Sequence, residues 1–454
     1  MPRLSLSWRV VGLLLAWCLP SVIYWLMYAP SMPFYPLFDA EMMLPLALMI
    51  GRRRLIFFLT LVGGAGIASA QAIAALFHFP SALDLVTQGD VPELSVPELI
   101  AAYWKEGLPL IAAAGVTLVA LRLRRPTDRS WMLPALVLVL LLDLSRVTEH
   151  LRPSRYGAMN AVGSPLAGLV VQASRTRQAH LEQLHDARDL RQDALTWADS
   201  HPDGRVVWLL VESLGLPVDS SVRSRLDDVL AAASGQGYQL EVGSVPFRGS
   251  TTAGELRRLC QLAGSYSRLD MRAGRDCIPE QLRARGWHTT GLHAFSGLMF
   301  QRARWWPLIG LQDTRFLESL GDPLNSRRCG TAFRGLCDED LVTLAFAEPI
   351  AKGGHFTYLL TLNTHLPLPE RALDEPLRVG SPCDETQGPH RACELLHRHA
   401  SLLQTVGEAA ARQAEGRRPL IIIVGDHSPP FVSHDDRGFF DQDQVPFWIL
   451  RPPG

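Results

Sequence analysis

The sequence predicts an α-helical membrane domain of five transmembrane helices, followed by an α/β domain whose mostly parallel central sheet is sandwiched by helices. Three observations predict this division. Apolar stretches of helical length lie within the first 150 residues, six of the seven cysteines lie beyond residue 200, and strand-like and helix-like segments alternate from there onward. We expect a transmembrane domain over 1–150, a juxtamembrane helical connector over 151–200 and an exterior domain over 201–454.

The net charge excludes one class of function. Lys and Arg number 44 and Asp and Glu number 45, so the formal net charge is −1. A nucleic-acid binder that neutralises phosphates needs a surplus of cations, which this chain lacks. We therefore expect no nucleic-acid partner.

Five apolar stretches define the predicted membrane domain. A transmembrane helix needs about 20 predominantly apolar residues, and the first and third stretches reach this length. The other three are shorter and borrow flanking residues. The first stretch alone resembles a signal peptide, but the four that follow favour a multi-pass domain. The stretches are Val10–Tyr28, Phe38–Ile50, Leu55–Phe77, Gly107–Leu121 and Trp131–Leu144.

Basic residues predict the orientation of these spans, because Lys and Arg concentrate in cytoplasmic loops. Basic clusters precede the first stretch and separate the second from the third and the fourth from the fifth, whereas the acidic loop Pro80–Glu98 has no Lys or Arg. Five spans with a cytoplasmic N-terminus put all the clusters inside and the C-terminal part outside. The basic residues are Arg3, Arg9, Arg52, Arg53, Arg54, Arg122, Arg124, Arg125 and Arg129.

Cysteine usage favours the same orientation. Cys18 lies in the first apolar stretch, and the other six lie in the predicted exterior domain, an even number that suits an oxidising compartment. We expect disulfides between nearest neighbours, because this pairing closes short local loops. The expected pairs are Cys260–Cys277, Cys329–Cys337 and Cys383–Cys393.

The predicted connector has two parts. Asn160–Ala173 is apolar and contains glycine, which predicts a segment along the membrane surface. Ser174–Asp199 is rich in charged residues with Leu and Ala at helical spacing, which predicts a solvated amphipathic helix. A spacer is favoured over a partner-binding element.

The exterior part alternates strand and helix signals, which is typical of β-α-β units with a parallel sheet. Continuous apolar runs such as VVWLLV and LIIIV predict strands buried on both faces. The predicted strands are Val206–Val211, Trp287–His293, Phe356–Leu362 and Leu420–Val424. The predicted helices are Ser221–Ala233, Thr252–Ala263, Pro279–Arg285 and Arg391–Glu415.

Polar side chains follow three of the predicted strands, where ligands bind in such sheets. Glu212 and Ser213 follow the first, Asn363–His365 follow the third, and Asp426 and His427 follow the fourth. Each alone is a common helix cap or a satisfied polar residue. Together, carboxylates and imidazoles indicate a metal centre of the zinc or manganese type.

A nucleophile is predicted in the segment 249–256, GSTTAGEL, at a helix start. Hydroxyls there usually serve only as helix caps. In the alternative interpretation, the helix N-terminus and a metal lower the pKa of the hydroxyl and stabilise the attacking oxygen. The same N-terminus would hold anionic phosphate oxygens.

Four motifs occur in an order that resembles a known family. VESLG at 211–215, GSTTAGEL at 249–256, THLP at 364–367 and GDHS at 425–428 resemble the membrane-anchored phosphoglycerol and phosphoethanolamine transferases. These include lipoteichoic acid synthase and the lipid A phosphoethanolamine transferases, on the alkaline phosphatase/sulfatase superfamily fold. The resemblance covers the spans, the connector and the exterior domain.

The resemblance implies roles for individual residues. Glu212, Asp426, His427 and Thr251 match the metal-binding positions, and Thr251 matches the nucleophile, with Thr252 as a close competitor. Residues matching the substrate pocket are His293, Phe300, Arg302, His365 and, with a different spacing from His427, His434.

The resemblance also implies an activity. A phospholipid head group would pass through a phosphothreonine to a cell-envelope glycolipid or polysaccharide. The donor would be phosphatidylethanolamine or phosphatidylglycerol, and six exterior cysteines favour the phosphoethanolamine branch and Zn²⁺ over Mn²⁺. The implied location is the bacterial inner (cytoplasmic) membrane, with the catalytic domain on the periplasmic or extracellular side.

Some features depart from the family pattern. Ser428 follows the Asp-His pair where relatives often have Gly, the exterior domain is short, and the Cys/Ser-x-Pro-x-Arg pattern of sulfatases is absent near Thr251. Two other classes stay open: a metal-dependent phosphodiesterase or sulfatase-like hydrolase, which uses water as acceptor, and a non-catalytic membrane scaffold or sensor.

Overall fold

The computed structural model describes residues 181–235, 237–320, 327–348, 353–368, 382–383, 388–431 and 433–453, together with Pro97 and Val137. The five predicted spans and residues 151–180 of the connector lie outside this set, so the membrane topology stays a prediction. Among the described residues, no helix has the length and apolar character needed to cross a membrane.

A seven-stranded sheet forms the centre of the described chain. The five strands from β10 to β6 are parallel, and only β11 runs antiparallel to its neighbours. The mostly parallel sheet predicted from the sequence is therefore confirmed. Across the sheet, the strands are β3 (Gln239–Pro246), β11 (Gln444–Arg451), β10 (Leu420–Gly425), β2 (Arg205–Val211), β9 (His355–Leu360), β5 (His288–His293) and β6 (Asp313–Arg315).

Two small ribbons accompany the sheet. β1 (Glu182–Gln183) pairs with β4 (Leu262–Ala263), and β7 (Arg328–Cys329) pairs with β8 (Gly335–Leu336). The helices are α1 (Arg191–Ser200), α2 (Ser220–Ser234), α3 (Thr251–Cys260), α4 (Ile278–Ala284), α5 (Arg302–Trp305), α6 (Leu317–Leu320), α7 (Asp338–Ala347), α8 (His390–Ala411) and α9 (His434–Gly438).

Helices cover both faces of the sheet. Because side chains alternate along a strand, Val207 and Leu209 of β2 join a core with α2, α7 and α8. Trp208 points to the other face, where α1, α3 and α4 pack. The strands β2, β9 and β10 are buried along their whole lengths, which explains their continuous apolar sequences.

The structure differs from the predicted elements at several ends. The helix expected over Thr252–Ala263 ends at Cys260, because Gln261 adopts a left-handed conformation with φ 54°. The helix expected over Ser174–Asp199 is described only from residue 181, where β1 and an irregular segment precede α1. Ala194 and Leu195 of α1 are buried, so this helix packs on the domain instead of being wholly solvated.

The six cysteines beyond residue 200 form the three nearest-neighbour disulfides expected from the sequence. Cys260 is joined to Cys277, Cys329 to Cys337, and Cys383 to Cys393. The first disulfide ties the end of α3 to the start of α4. The second closes the loop of β7 and β8.

Candidate active site

The three polar clusters predicted at strand ends become neighbours because their strands are neighbours. β10, β2 and β9 lie side by side in the centre of the sheet, and β5 follows β9. Gly425, the last residue of β10, is paired with Val211, the last residue of β2. The residues that come next, Asp426 and Glu212, therefore leave the sheet at the same point.

Glu212, Asp426 and His427 offer three ligand atoms that all lie within 4.8 Å of one another. The Nε2 atom of His427 is 3.3 Å from Oδ2 of Asp426 and 3.5 Å from Oε1 of Glu212. All three side chains are buried. A compact, buried set of two carboxylates and an imidazole suits a metal such as zinc.

Thr251 completes this cluster from the first position of α3. Its hydroxyl donates to Oε2 of Glu212 at 3.0 Å and lies 3.4 Å from Nε2 of His427. The residue before it, Ser250, stands at the cap position but makes no side-chain capping bond. The hydroxyl of Thr251 is thus directed to the carboxylate cluster instead of the helix backbone.

The backbone around the cluster orients its carboxylates. Ser213 has φ 54°, which is uncommon for a residue other than glycine, and its N–H donates to Oδ1 of Asp426 at 2.8 Å. The N–H of His427 donates to the same oxygen at 2.7 Å. The ring of His427 bonds through Nδ1 to the carbonyl of Ser428, which directs Nε2 to the carboxylates.

The donor set fits a bound cation. Oδ2 of Asp426 is buried and accepts no hydrogen bond, although it lies beside Nε2 of His427. Burial and the charge of Glu212 raise the pKa of Asp426. Burial lowers the pKa of His427, but the charges of Asp426 and Glu212 outweigh it, so the net shift is upward. The cluster brings two buried carboxylates together with one imidazole, and a bound cation would offset the negative charge of the carboxylates.

Three residues hold the backbone of Glu212, and of these the sequence had singled out only Thr364, as a member of a polar cluster at a strand end. Its N–H donates to the hydroxyl of Thr361 at 2.9 Å, and its carbonyl accepts from the hydroxyl of Thr364 at 2.6 Å. Nε2 of His399, from the middle of α8, lies 3.2 Å from the same carbonyl. Burial lowers the pKa of His399 to about 4, so a neutral ring contacts Glu212.

Two of the three histidines predicted for the substrate pocket lie at the ends of neighbouring strands: His293 is the last residue of β5, and His365 follows β9. Nδ1 of His293 bonds to the carbonyl of Leu360 at 3.1 Å, and its Nε2 is buried with no partner. Burial and the charge of Arg302 lower the pKa of His293 well below its usual value, so its ring is neutral. The ring of His365 contacts that of Phe333, with centroids 3.9 Å apart and planes tilted by 47°, and burial lowers the pKa of His365.

Arg302 and Phe300 lie together beside α3. Arg302 is 2% exposed, and its guanidinium lies 5.0 Å from the centroid of the Phe300 ring, at cation–π distance. Nε of Arg302 donates to Oε2 of Glu255 at 3.0 Å. The sequence indicated Glu255 only as part of the motif spacing, and the structure shows it to be the anchor of the arginine.

Of the two threonines predicted as nucleophiles, Thr252 contacts Ser250 and Thr251 contacts the metal cluster. The hydroxyl of Thr252 lies 3.2 Å from that of Ser250, whereas that of Thr251 contacts the metal cluster. This geometry favours Thr251 as the nucleophile. His434 begins α9, and its side chain lies outside the part that the structure describes.

Comparisons with known proteins give structural matches alone. No protein-family model and no curated protein sequence matches the chain. It is similar to the Listeria monocytogenes lipoteichoic acid synthase LtaP, with 13% identity, a TM-score of 0.36, and coverage of 56% of this chain and 67% of that one.

Two further solved structures are similar. The Streptococcus pyogenes phosphoglycerol transferase GacH, solved with sn-glycerol-1-phosphate, has 17% identity and a TM-score of 0.39. The match covers 59% of this chain and 77% of that one. The C-terminal periplasmic domain of Escherichia coli EptC, solved with Zn, has 11% identity, a TM-score of 0.33, and coverage of 60% and 77%. The positions of the site residues rest on the geometry of this chain.

Proposed function

We propose that this chain transfers the head group of a membrane phospholipid to a cell-envelope glycolipid or polysaccharide, through a covalent bond to Thr251. Phosphoethanolamine is the favoured head group and phosphoglycerol the alternative. The observation that carries the proposal is the position of the Thr251 hydroxyl, at the start of α3 and within 3.4 Å of both Glu212 and His427. A buried hydroxyl among metal-type ligands is the arrangement of an activated nucleophile.

Zinc, with manganese as the alternative, would be held by Glu212, Asp426 and His427, with Thr251 beside them. The fit of these donors rests on the unpartnered Oδ2 of Asp426 and on the two buried carboxylates of the cluster. When bound, such an ion stabilises negative charge on the attacking hydroxyl oxygen and on phosphoryl oxygens.

The reaction divides into two displacements at phosphorus. In the first, Oγ1 of Thr251 forms a bond to phosphorus and the bond from phosphorus to the diacylglycerol oxygen breaks. The hydroxyl proton of Thr251 ends on that oxygen, so diacylglycerol leaves as an alcohol. In the second, the oxygen of an acceptor hydroxyl forms a bond to phosphorus and the bond from phosphorus to Oγ1 of Thr251 breaks; the acceptor's proton ends on Oγ1. The positive end of the α3 dipole favours the anionic phosphoryl oxygens in both steps.

The neighbouring side chains have roles that follow from their charge states. Arg302 supplies a charge-assisted hydrogen bond to a phosphoryl oxygen. His293, with a neutral ring and an unpartnered Nε2, can accept a proton or a hydrogen bond at that atom. His365 lies close enough to Glu212 for the two side chains to interact electrostatically. This position suits a residue that orients the phosphoryl group.

The predicted location belongs to this proposal. A phospholipid donor requires a site near a membrane, which the apolar N-terminal stretches would supply. The three disulfides suit an oxidising compartment on the outer side of that membrane. We place the catalytic domain on the periplasmic or extracellular side of a bacterial cytoplasmic membrane.

The test is the intact mass of the full-length protein, purified in detergent with zinc and quenched in acid after mixing with phosphatidylethanolamine or phosphatidylglycerol. We expect a gain of one phosphoethanolamine or one phosphoglycerol unit. Thr251→Ala abolishes this gain, and Thr252→Ala, which changes the adjacent hydroxyl on the same helix, retains it. Product analysis with a labelled head group then identifies the acceptor fraction.

Other outcomes separate the alternatives. An adduct lost in Thr252→Ala but kept in Thr251→Ala moves the nucleophile to Thr252. Rapid release of free head group into water, with no labelled glycolipid or polysaccharide, indicates a hydrolase. Failure of the wild-type chain to bind zinc and to form any adduct would favour a non-catalytic scaffold or sensor.

A further inference from the structure

Glu255 is a carboxylate with no exposed surface, one helical turn after Thr251 on α3. Residues four apart on a helix lie on the same face, so both side chains project from one side of α3. A buried carboxylate is costly unless it is fully hydrogen-bonded and paired with a cation. The surroundings of Glu255 meet this requirement, and their geometry indicates what it does.

Four donors converge on this carboxylate. Oε2 accepts from Nε of Arg302 at 3.0 Å and lies 3.0 Å from its Nη2. Oε1 accepts from Nε1 of Trp306 at 3.0 Å and from the hydroxyl of Tyr358 at 3.2 Å. Trp306 follows α5, which begins at Arg302, and Tyr358 lies in β9. Glu255 thus joins the nucleophile helix to the arginine segment and to a central strand.

One nitrogen of the Arg302 guanidinium, Nη1, does not contact Glu255. Its Nε and Nη2 face Glu255, and among the described residues no hydrogen bond joins its Nη1 to a protein acceptor. The two residues before it, Phe300 and Gln301, both have φ 54°, and the Phe300 ring covers the guanidinium. Backbone, ring and carboxylate together leave Arg302 one orientation and one free nitrogen.

We infer that Glu255 is a positioning residue: it holds Arg302 at a fixed distance from Thr251, so that the nucleophile and the phosphate-binding cation are attached to one rigid helix. This inference rests on the proposed function, because it takes a phosphoryl group as the occupant of the site. Rigid attachment matters since a group that acts on a transition state must be held in the productive geometry beforehand.

The test measures the affinity of the full-length protein for inorganic phosphate by calorimetry, with zinc affinity measured alongside. Glu255→Gln keeps the size of the side chain and its hydrogen bonds from Trp306 and Tyr358, but removes the charge that holds Arg302. We expect phosphate affinity to fall about tenfold, as for a lost charge-assisted contact, and zinc affinity to stay within about twofold.

The matched control is Asp186→Asn. The side chain of Asp186 is 5% exposed and accepts from Nε of Arg257 on α3 at 2.8 Å, so it is also a buried carboxylate paired with an arginine of the same region. This variant reports the cost of losing such a pair away from Thr251. We expect lower thermal stability and unchanged phosphate affinity.

Two further variants make the inference independent of folding. Arg302→Lys keeps a positive charge but loses the planar contact with Glu255, and we expect it to weaken phosphate binding as Glu255→Gln does. In the double variant Glu255→Gln/Arg302→Gln, we expect the loss of phosphate affinity to be smaller than the sum of the two single losses, because both changes act through the guanidinium of Arg302. Three outcomes would overturn the inference. The first is wild-type phosphate affinity in Glu255→Gln, and the second is additive losses of phosphate affinity in the double variant. The third is a loss of phosphate affinity in Asp186→Asn equal to that in Glu255→Gln.

Phosphate binding also separates this inference from the proposed function. If the wild-type chain forms no head-group adduct while Glu255→Gln still weakens phosphate binding, the transferase proposal fails and the role of Glu255 stands. If the adduct forms at Thr251 and Glu255→Gln changes neither phosphate affinity nor the ratio of kcat to KM, the transferase stands and the inference fails.

Discussion

Thr364 donates its hydroxyl hydrogen to the backbone carbonyl of Glu212 at 2.6 Å, although the two residues are 152 positions apart in the chain. The bond links the end of β9 to the end of β2 and restrains the residue that offers a carboxylate to the cluster. It is a contact to the backbone, so it orients the ligand without occupying any of its side-chain oxygens.

Thr364→Val tests this restraint. We expect the free energy of unfolding to fall by about 1 kcal/mol, the typical value of one hydrogen bond, and zinc affinity to fall several-fold. Thr405→Val is the matched control, because Thr405 is a buried threonine of α8 whose hydroxyl bonds to the carbonyl of Ser401 within its own helix. It lowers stability without changing zinc affinity; equal zinc affinities in the two variants would contradict the role of Thr364.

Asp426→Asn tests the metal cluster itself. A ligand that binds only the folded state at a concentration of 100 times its Kd adds about 2.7 kcal/mol to the stability. We expect zinc to raise the Tm of the wild-type chain and a chelator to reverse the rise. The asparagine variant loses the response, since it lacks one carboxylate of the cluster. Asp186→Asn keeps it, and a zinc-dependent rise in Asp426→Asn would place the metal elsewhere.

His293→Gln changes the pH dependence of stability. Burial and the charge of Arg302 hold the pKa of His293 well below its usual value in the folded chain, whereas the unfolded chain binds a proton near pH 6.5. The unfolded state therefore gains protons first as the pH falls, and His293 makes stability fall below pH 6.5 by up to about 1.4 kcal/mol per pH unit.

Urea unfolding of wild-type and His293→Gln protein between pH 5 and 7.5 measures this difference. We expect the free energy of unfolding to decline less steeply towards acid in the variant. His185→Gln serves as the control for the removal of a histidine that is exposed in the folded chain. Parallel curves for wild type and His293→Gln would show that the ring is not buried as a neutral group.

Removal of the disulfide Cys329–Cys337 affects the site as well as stability. The ring of Phe333, inside its loop, contacts that of His365. Asp338, next to Cys337, accepts from the N–H groups of Leu362 and Asn363 in the turn that carries His365. We expect the variant Cys329→Ser/Cys337→Ser to lose about 2.5 kcal/mol of stability, because its unfolded chain gains the entropy of the open loop. We also expect its KM for the phospholipid to rise.

The disulfide Cys383–Cys393 is a close control for that experiment. Its cysteines are 10 positions apart and those of Cys329–Cys337 are 8, so the two loops give nearly equal entropic terms. The Ser variant of Cys383 and Cys393 should lose similar stability with an unchanged KM. An equal rise of KM in both variants would show that general loosening, not the contact of Phe333 with His365, is responsible.

Much of the architecture followed from local patterns. The runs VVWLLV and LIIIV predicted strands buried on both faces, and β2 and β10 are buried throughout. The strand signal in the sequence is weaker for β3 and β11, at one edge of the sheet. β3 exposes several of its residues, and β11 contains Pro446, so neither has the uninterrupted apolar signal of the central strands.

The candidate site was predictable to the extent that it depends on strand ends. Glu212, Asp426 and His427 each follow a strong strand signal, and parallel strands end at one edge of the sheet. The choice between Thr251 and Thr252 was open, because both stand at the start of the same helix. The rotation of α3 about its axis directs the hydroxyl of Thr251 to Glu212, and this contact supports the proposal that Thr251 is the nucleophile.

The sequence by itself determined the four central strands β2, β5, β9 and β10, the helices α2, α3, α4 and α8, the polar residues at the strand ends and, through short spacing, the three disulfide pairs. Only the tertiary structure decided which strands are neighbours, which hydroxyl reaches the cluster, and that His399, Thr364 and Glu255 support it. The physical reason is that local periodicity reports burial within one element. Contacts such as that between Glu255 and Arg302 depend on how separate elements pack, and no short stretch of sequence contains that relationship.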